Sequence, residues 1–172
     1  MFQQAGDQFR LIFDPKGRFV LHKINDDEKQ YKLCRVKNVA YTNKKVPYLV
    51  THDGRTIRYC DPVVKANDTV KVDINTGKII DTIPFKIGNT AIITKGKNTG
   101  RVGVIQKIDI HQGSFNIVIL KDAHGNVFST RQLNVFILGD GNEPAVSLPK
   151  AKGVRLSILE EAAVAIKKRK EA

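Results

Sequence analysis

The sequence predicts a mainly β protein made of two small β units and a short C-terminal α-helix. Short apolar runs alternate with turn residues at intervals of about eight to twelve positions, which is typical of all-β architecture. One amphipathic stretch near the C-terminus, preceded by helix-capping residues, supplies the helix. With 172 residues, of which 41% are hydrophobic, the chain is long enough for one ordinary domain or two small ones.

The first unit is predicted to occupy residues 1–84, with Pro84 at its boundary. Asn25 and Glu28 predict a short helical turn with a capping box, and Asp53-Gly54 favours a tight type I′ hairpin. The strands of this unit are predicted at 8–13, 18–24, 33–36, 46–51, 56–60, 69–74 and 78–83.

The second unit is predicted at 85–140, and a basic loop and the helix follow at 141–172. The helix is expected from about 158 to 169, with Ser157 and Glu160 forming a capping box. Its apolar face either docks on the second unit or becomes ordered only against a partner; it consists of Leu159, Ala162, Ala163 and Ile166. The strands of the second unit are predicted at 90–94, 102–108, 115–120, 126–130 and 134–138.

The charge of the chain favours a polyanionic partner. The net charge is +12, and the two halves, 1–84 and 85–172, carry 15 and 14 Lys and Arg against 10 and 7 Asp and Glu. A basic character spread over both halves suits nucleic acid better than a single basic arm does. No apolar run approaches the ~20 residues of a membrane span, and no signal peptide opens the chain, so we expect no membrane partner.

The segment KGKNTGRVGV, residues 95–104, combines three glycines with two lysines and an arginine, and its context excludes a nucleotide-binding loop. Asn98 stands where a Walker motif requires Ser or Thr, and Gly96, Gly100 and Gly103 do not have the spacing of a dinucleotide fingerprint. The residues that follow predict a strand, so there is no helix N-terminus to meet a phosphate. The arrangement is instead strand, basic glycine turn, strand.

The stretch IGNTAIITKGKNTGRVGVIQKIDI resembles a KOW motif, which occurs in ribosomal proteins and transcription elongation factors. The resemblance implies that the second unit is a small SH3-like barrel, with Gly100 at the central glycine position. Gly96 and Gly100 are expected to reverse the chain, and Gly103 to lie where a side chain would crowd a neighbour. Four residues are then expected on the rim, able to reach phosphates: Lys95, Lys97, Asn98 and Arg101.

Other blocks, in order along the chain, resemble the small-subunit ribosomal protein four family of eukaryotes and archaea, in its eukaryotic form. They include FRLIFDPKGRFVLHKI, LVTHDGRTIRYCDPVVKANDTVKVDINTGKI, HQGSFNIVILKDAHGNVFSTRQLNVFILGDGNEPAVSLP and KGVRLSILEE. The resemblance implies a non-catalytic structural protein of the small subunit that binds ribosomal RNA. The implied partners are small-subunit rRNA and neighbouring ribosomal proteins, with no cofactor or small-molecule substrate. It also implies a cytoplasmic ribosomal location after assembly in the nucleolus.

The family has a basic N-terminal extension and an N-terminal RNA-binding domain ahead of the central domain, and neither is recognisable here. We therefore expect this sequence to be an N-terminally truncated form, with much of the RNA affinity residing in the absent module.

Further basic residues are candidates for phosphate contacts. Lys44 and Lys45 lie in a predicted turn, Arg55 and Arg58 on a polar strand face beside Gly54, and Lys150, Lys152 and Arg155 in the loop before the helix. The aromatic residues mostly occupy strand positions that suggest a core, so we expect little base stacking. The run 167–170 either contacts RNA or complements the helix dipole.

Two other function classes are weighed against the ribosomal one. A KOW-type elongation factor module would act through protein contacts, but TIRYCDPVVKANDTVKVD is not expected in such a protein. A hydrolase using His52 and Cys60 is disfavoured, because Cys60 lies too far along its strand from the hairpin turn. Cys34 and Cys60 are expected to be free buried thiols, and the four scattered histidines predict no metal site.

Overall fold

The computed structural model describes residues 8–149 and 152–171 and shows three antiparallel sheets followed by one α-helix. The strands are β1 (Phe9–Phe13), β2 (Phe19–Lys23), β3 (Tyr31–Tyr41), β4 (Pro47–Thr51), β5 (Thr56–Arg58), β6 (Thr69–Asp73), β7 (Ile79–Ile83), β8 (Thr90–Ile93), β9 (Val102–Asp109), β10 (Ile117–Lys121), β11 (Val127–Arg131) and β12 (Val135–Gly139). The helix α1 spans Ile158–Glu171, and short 3₁₀ helices lie at Asp26–Gln30 and Gln132–Asn134. The predicted mainly β class is confirmed.

The first five-stranded sheet has the order β5-β4-β3-β6-β7 and is organised around the long strand β3. The first half of β3 pairs with β6 and the second half with β4, with a register shift between Val36 and Asn38. Both cysteines are free and buried in the core of this sheet, as predicted. This core consists of Cys34, Val36, Leu49, Cys60, Val64, Val70 and Val72.

The second sheet has the order β11-β10-β9-β8-β12, and a 3₁₀ helix connects β11 to β12. Four consecutive strands form a meander, and the fifth returns to pair with the first, as in an SH3-like barrel. Its fully buried interior contains Ala91, Ile93, Ile105, Val118, Leu120 and Ile137.

Three hairpins share a three-residue loop that ends in a left-handed glycine. They span 14–18, 51–55 and 122–126, with closing N–H to C=O distances of 2.8, 3.0 and 3.0 Å. The type I′ turn predicted at Asp53-Gly54 is wrong, because a type I′ turn requires positive φ at both central residues. Only Gly54 has one (+85°), so the loop is His52-Asp53-Gly54.

The structure also changes two other details of the prediction and confirms a third. Strand β3 is eleven residues long, whereas the sequence predicted only 33–36. The Asn25 side chain does not cap the short 3₁₀ helix, so the capping box predicted there is wrong. The one at α1 is confirmed, since Ser157 N–H donates to Glu160 at 2.7 Å and Glu160 N–H donates to the Ser157 hydroxyl at 3.3 Å.

The apolar face of α1 remains exposed to solvent. Leu159 is 83% exposed and Ile166 is 54% exposed, so the alternative in which this face docks on the second unit is wrong for the structure described. The helix is linked to the rest of the chain by an ion pair between Lys16 and Glu161 at 2.9 Å. No helix in the described ranges is long and apolar enough to cross a membrane.

The β1–β2 hairpin packs on the second sheet although it precedes the first one in the chain. Ile12 of β1 and Leu33 of β3 belong to the same buried cluster as the barrel interior. The turn of the hairpin sits against the β8–β9 loop, where a Cβ at Gly100 would overlap the Asp14 carbonyl. The hairpin therefore joins the barrel rather than extending the first sheet.

Partly buried polar contacts join the N-terminal half of the chain to the segment after β12. The Glu28 carboxylate accepts hydrogen bonds from Arg10 and from the amide and hydroxyl of Ser147, the latter two at 2.9 and 3.1 Å. The Tyr31 hydroxyl donates to the Ala145 carbonyl at 2.6 Å. These contacts hold the 145–147 segment against the first 3₁₀ helix.

A second set of contacts joins the two five-stranded sheets. Arg35 of β3 donates from Nη1 to the carbonyls of Leu133 and Val135 at 2.6 and 3.3 Å. The ring of His52 packs edge-on against Phe136, with centroids 5.5 Å apart. Together with the Glu28 contacts, these side chains join the two units.

Replacing Gly100 with alanine should destabilise the fold strongly. The left-handed conformation (φ +83°) and the overlap with Asp14 together predict a loss of about 2–5 kcal/mol in the free energy of unfolding. Gly54 is a matched control, because it is equally left-handed but has open space around its Cβ position. Gly54→Ala should cost only about 1–2 kcal/mol. Urea denaturation of both variants tests this, and equal losses would contradict it.

Stability should fall in acid because of Glu28. Burial by itself raises the pKa of this carboxyl, but hydrogen bonds from Arg10 and Ser147 outweigh burial and hold the pKa below its ordinary 4.5. The unfolded chain therefore binds more protons as the pH falls through 4.5, and the stabilisation present above that pH is lost. The Tm of Glu28→Gln should be lower at neutral pH and fall less in acid. If the Tm of this variant fell in acid as much as that of the unaltered chain, Glu28 would not be the cause of the loss of stability.

Candidate nucleic-acid interface

The basic glycine turn between β8 and β9 forms a compact loop at one end of the barrel. Gly96 and Gly100 have φ of +91° and +83°, and Gly100 N–H donates to the Ile93 carbonyl at 2.8 Å. Lys95 and Lys97 are exposed. Their backbone is thus fixed by the turn while their ammonium groups remain in solvent.

The segment after residue 151 lies beside this loop. The Val102 amide donates to the Gly153 carbonyl at 3.0 Å, and Arg155 Nη1 donates to the Lys97 carbonyl at 3.2 Å. The β1–β2 turn lies on the other side, with Gly17 next to Thr99. These segments bring six cations together into a surface that we call the basic end: Lys16, Arg18, Lys95, Lys97, Lys152 and Arg155.

Carboxylates neutralise only part of the basic end. Lys16 pairs with Glu161 and Arg18 with Asp14, at 2.9 and 3.1 Å. Within residues 8–149 and 152–171, the other four cations form no ion pair; they are Lys95, Lys97, Lys152 and Arg155. The surface therefore carries uncompensated positive charge, which attracts phosphates.

Arg101 does not lie on the rim, so its predicted position is wrong. Its side chain is only 13% exposed, and Nη2 donates to the fully buried Asp122 carboxylate at 2.9 Å. The guanidinium also lies 3.8 Å from the centre of the Phe128 ring. The Arg101 side chain is therefore largely buried against Asp122 and Phe128.

Asn98 and Gly103 also have structural roles in the barrel. The Asn98 amide donates from Nδ2 to the Ser129 carbonyl at 3.1 Å and so joins the loop to β11. A Cβ on Gly103 would lie 2.7 Å from the Lys121 carbonyl oxygen, which explains the glycine at this position.

Matches to known families and to a solved structure bear on the identity of the chain. The model of the ribosomal family S4e matches residues 5–79, the KOW motif matches 87–121, and the 40S ribosomal protein S4 C-terminus matches 122–169. The crystal structure of the 30S ribosomal protein S4e from Thermoplasma acidophilum is 30% identical, with a TM-score of 0.67. The alignment covers 81% of this chain and 70% of that one. The chain belongs to the S4e family of small-subunit ribosomal proteins.

The KOW match of this S4e chain covers β8, the basic loop, β9 and β10. Four cations of the basic end lie outside that match, and two of the four were missed in the sequence, namely Lys16 and Arg18. The basic turn Asp14-Pro15-Lys16-Gly17-Arg18 is visible in the sequence, but nothing in its spacing indicates that it docks on a loop some eighty residues later. Only the packing of the hairpin brings the two turns together.

The other predicted basic residues of the S4e chain lie apart from the basic end, and one of them is already paired with a carboxylate. Lys44 and Lys45 are exposed in the β3–β4 turn, and Arg58 is exposed on β5. Arg55 pairs through Nε with Asp53 at 3.1 Å, which ties it to its own turn. Lys150 lies outside the described residues.

The expectation that aromatic residues are mostly buried is wrong for five of them. Phe128 is buried, and others pack against the core, but two tyrosines of the first sheet project into solvent. Tyr41 is 65% exposed and Tyr59 is 79% exposed, close to Lys44 and Arg58. The five exposed aromatic residues are Phe9, Phe19, Tyr41, Tyr59 and Phe115.

A Cys-His-Asp group lies under the β4–β5 turn, but its thiol belongs to Cys34 and not to Cys60. The ligand atoms of Cys34, His52 and Asp53 lie within 4.8 Å of one another. The Cys34 thiol donates to Asp53 at 3.5 Å, and His52 Nδ1 accepts the Arg35 amide at 3.1 Å. Nδ1 of this imidazole is thus already used by the backbone.

The protonation state of the thiol also disfavours nucleophilic catalysis. Burial and the adjacent Asp53 raise the pKa of the Cys34 thiol to about 11, so it stays protonated, whereas a nucleophile is a thiolate. Burial raises the pKa of Asp53, but hydrogen bonds from Thr51 and Lys32 outweigh it and hold the pKa well below its usual value. The group therefore stabilises the turn through hydrogen bonds.

Removing the Arg101 side chain should lower the stability of the barrel far more than removing a rim lysine does. Arg101→Ala leaves the Asp122 carboxylate buried without its partner, which predicts a loss of about 3–5 kcal/mol in the free energy of unfolding. Lys97→Ala is the matched control and should change stability by less than about 0.5 kcal/mol. Denaturation in guanidinium chloride measures the free energy of unfolding of both variants. A small loss of stability in Arg101→Ala would show that the ion pair is dispensable.

Proposed function

We propose that this S4e-family chain is a non-catalytic structural protein of the small ribosomal subunit, and that it binds rRNA mainly through the phosphates that the basic end contacts. The observation that carries the proposal is the convergence of four cations without carboxylate partners, drawn from two chain segments and held on a folded scaffold. Such a surface neutralises several neighbouring phosphates at once.

The chemistry of the basic end favours backbone contacts over base recognition. Lysine ammonium groups are mobile point charges, whereas base recognition in a groove requires a helix or ribbon that enters it. The four cations of the basic end that lack a carboxylate partner lie in turns and loops, not on a helix or a strand. Contacts of this kind position a protein on a folded RNA without reading its bases.

The family also supports the proposed partners and location. We infer contacts with neighbouring ribosomal proteins, a place in the cytoplasmic ribosome and assembly in the nucleolus. No cofactor, membrane or small-molecule substrate is part of this function. The S4e match of residues 5–79 favours the ribosomal function over that of a KOW elongation factor, because the S4e family accounts for the central unit as well as for the barrel.

Loss of two rim lysines should weaken RNA binding without changing its sequence preference. For Lys95→Ala/Lys97→Ala we expect lower affinity for every RNA and a salt slope about two units smaller, roughly one for each phosphate that the protein no longer neutralises. The measurement is a titration of small-subunit rRNA and of unrelated duplex RNA at several salt concentrations.

The matched control is Lys65→Ala/Lys78→Ala, which removes the same charge from exposed positions of the first unit that, like Lys95 and Lys97, pair with no described carboxylate. It should leave the slope nearly unchanged. If the rim variant altered sequence preference while keeping its salt slope, or if both double variants behaved alike, the phosphate-contact proposal would be wrong.

A further inference from the structure

A groove on the first sheet carries aromatic and basic side chains that the basic end does not use. It lies between the β3–β4 turn and the short edge strand β5, with a volume of about 640 Å³, within the range of roughly 300–1,000 Å³ found for small-molecule sites. We call it the tyrosine groove; Tyr41, Tyr48, Tyr59, Lys44 and Arg58 are among its lining residues. Among the residues that the structure describes, no Asp or Glu lines it.

The strand register places these side chains across three neighbouring strands. Tyr41 of β3 is paired with Pro47 of β4, and the Tyr59 amide donates to the Pro47 carbonyl from the other side at 2.8 Å. Two strand spacings therefore separate the backbones of Tyr41 and Tyr59, or about 10 Å. Arg58 pairs with Tyr48 in the same ladder. Aromatic and cationic residues thus occupy adjacent positions of three neighbouring strands, and all of them line the groove.

The backbone at Tyr59 is held in a conformation that a tyrosine rarely adopts. Its φ is +58°, in the left-handed region, where a bulky residue is a genuine outlier. The ring is nevertheless 79% exposed, so burial of the side chain does not compensate for the strain. Strain of this kind is concentrated at binding sites, where it fixes the direction of a side chain.

We propose that the tyrosine groove binds single-stranded RNA, with unpaired bases stacked on Tyr41 and Tyr59 and the adjoining phosphates contacted by Lys44 and Arg58. This inference rests on the proposed RNA-binding function and adds a second site of different chemistry. Exposed aromatic rings beside cations are the combination with which proteins hold single strands, because every base has a face that can stack.

Charge decides between RNA and the main alternative, a peptide ligand. Aromatic grooves also bind proline-rich peptides, whose extended backbone needs no countercharge. Here the described lining contains two cations and no carboxylate, and Lys45 adds a third positive charge in the adjoining turn. A duplex is disfavoured as the ligand, because its base faces are already stacked within the helix.

The test measures binding of a fluorescein-labelled short oligouridylate to the chain and to variants at position 59. Tyr59→Leu keeps an apolar side chain but removes the ring, so binding should weaken roughly five- to a hundred-fold with an unchanged salt slope. Tyr59→Phe keeps the ring and should bind within about two-fold of the unaltered chain. Circular dichroism confirms that each variant is folded.

Phe115→Leu is the matched control. Phe115 is an exposed aromatic residue of the barrel, but the Arg131 guanidinium already covers its ring at 4.4 Å. This variant should bind oligouridylate like the unaltered chain. Equal losses in Phe115→Leu and Tyr59→Leu would overturn the assignment to the groove.

The remaining outcomes separate this inference from the proposed function. If Tyr59→Leu retains full oligouridylate affinity, or the unaltered chain binds none, the groove is not an RNA site; a loss of rRNA affinity in Lys95→Ala/Lys97→Ala would still support the basic end. If Tyr59→Leu loses affinity and the lysine variant does not, the groove is supported and the basic end is not. Saturable binding of a proline-rich peptide, with no binding of oligouridylate, would assign the groove to protein and overturn the inference.

Discussion

The arrangement of the basic end depends on the absence of a side chain at Gly100. The β1–β2 turn reaches the β8–β9 loop only because the Asp14 carbonyl occupies the space that a Cβ would fill. That approach brings Lys16 and Arg18 beside the cations of the loop. One backbone approach thus decides both how the N-terminal hairpin packs and where positive charge accumulates.

The cations of the chain fall into two groups with opposite surroundings. Arg101, Arg35 and Arg10 are engaged with a buried carboxylate, backbone carbonyls or a bridging glutamate, and they hold the sheets and loops in place. Lys95 and Lys97 are left in solvent. The internal group holds the backbone from which the external lysines project, so less backbone entropy is lost when they meet a phosphate backbone.

The two proposed surfaces of this S4e chain complement each other in chemistry. The basic end offers charge without aromatic groups projecting from the loop, which suits the backbone of a folded RNA. The tyrosine groove offers rings and charge together, which suits nucleotides that have left the helix. A folded rRNA contains both features, and shape rather than base sequence would then select the position of the protein.

The sequence by itself determined the local structure of this protein. Alternating apolar residues predicted nearly every strand, the glycines predicted the turns, and Ser157 and Glu160 predicted the start of the helix, because each depends on neighbours along the chain. The tertiary structure alone decided which charged and aromatic groups are available. It buried Arg101 against Asp122, left Tyr59 in solvent, and added the β1–β2 turn to the barrel. The exposure of a side chain depends on which distant segments of the chain pack against it, and no local sequence pattern predicts that packing.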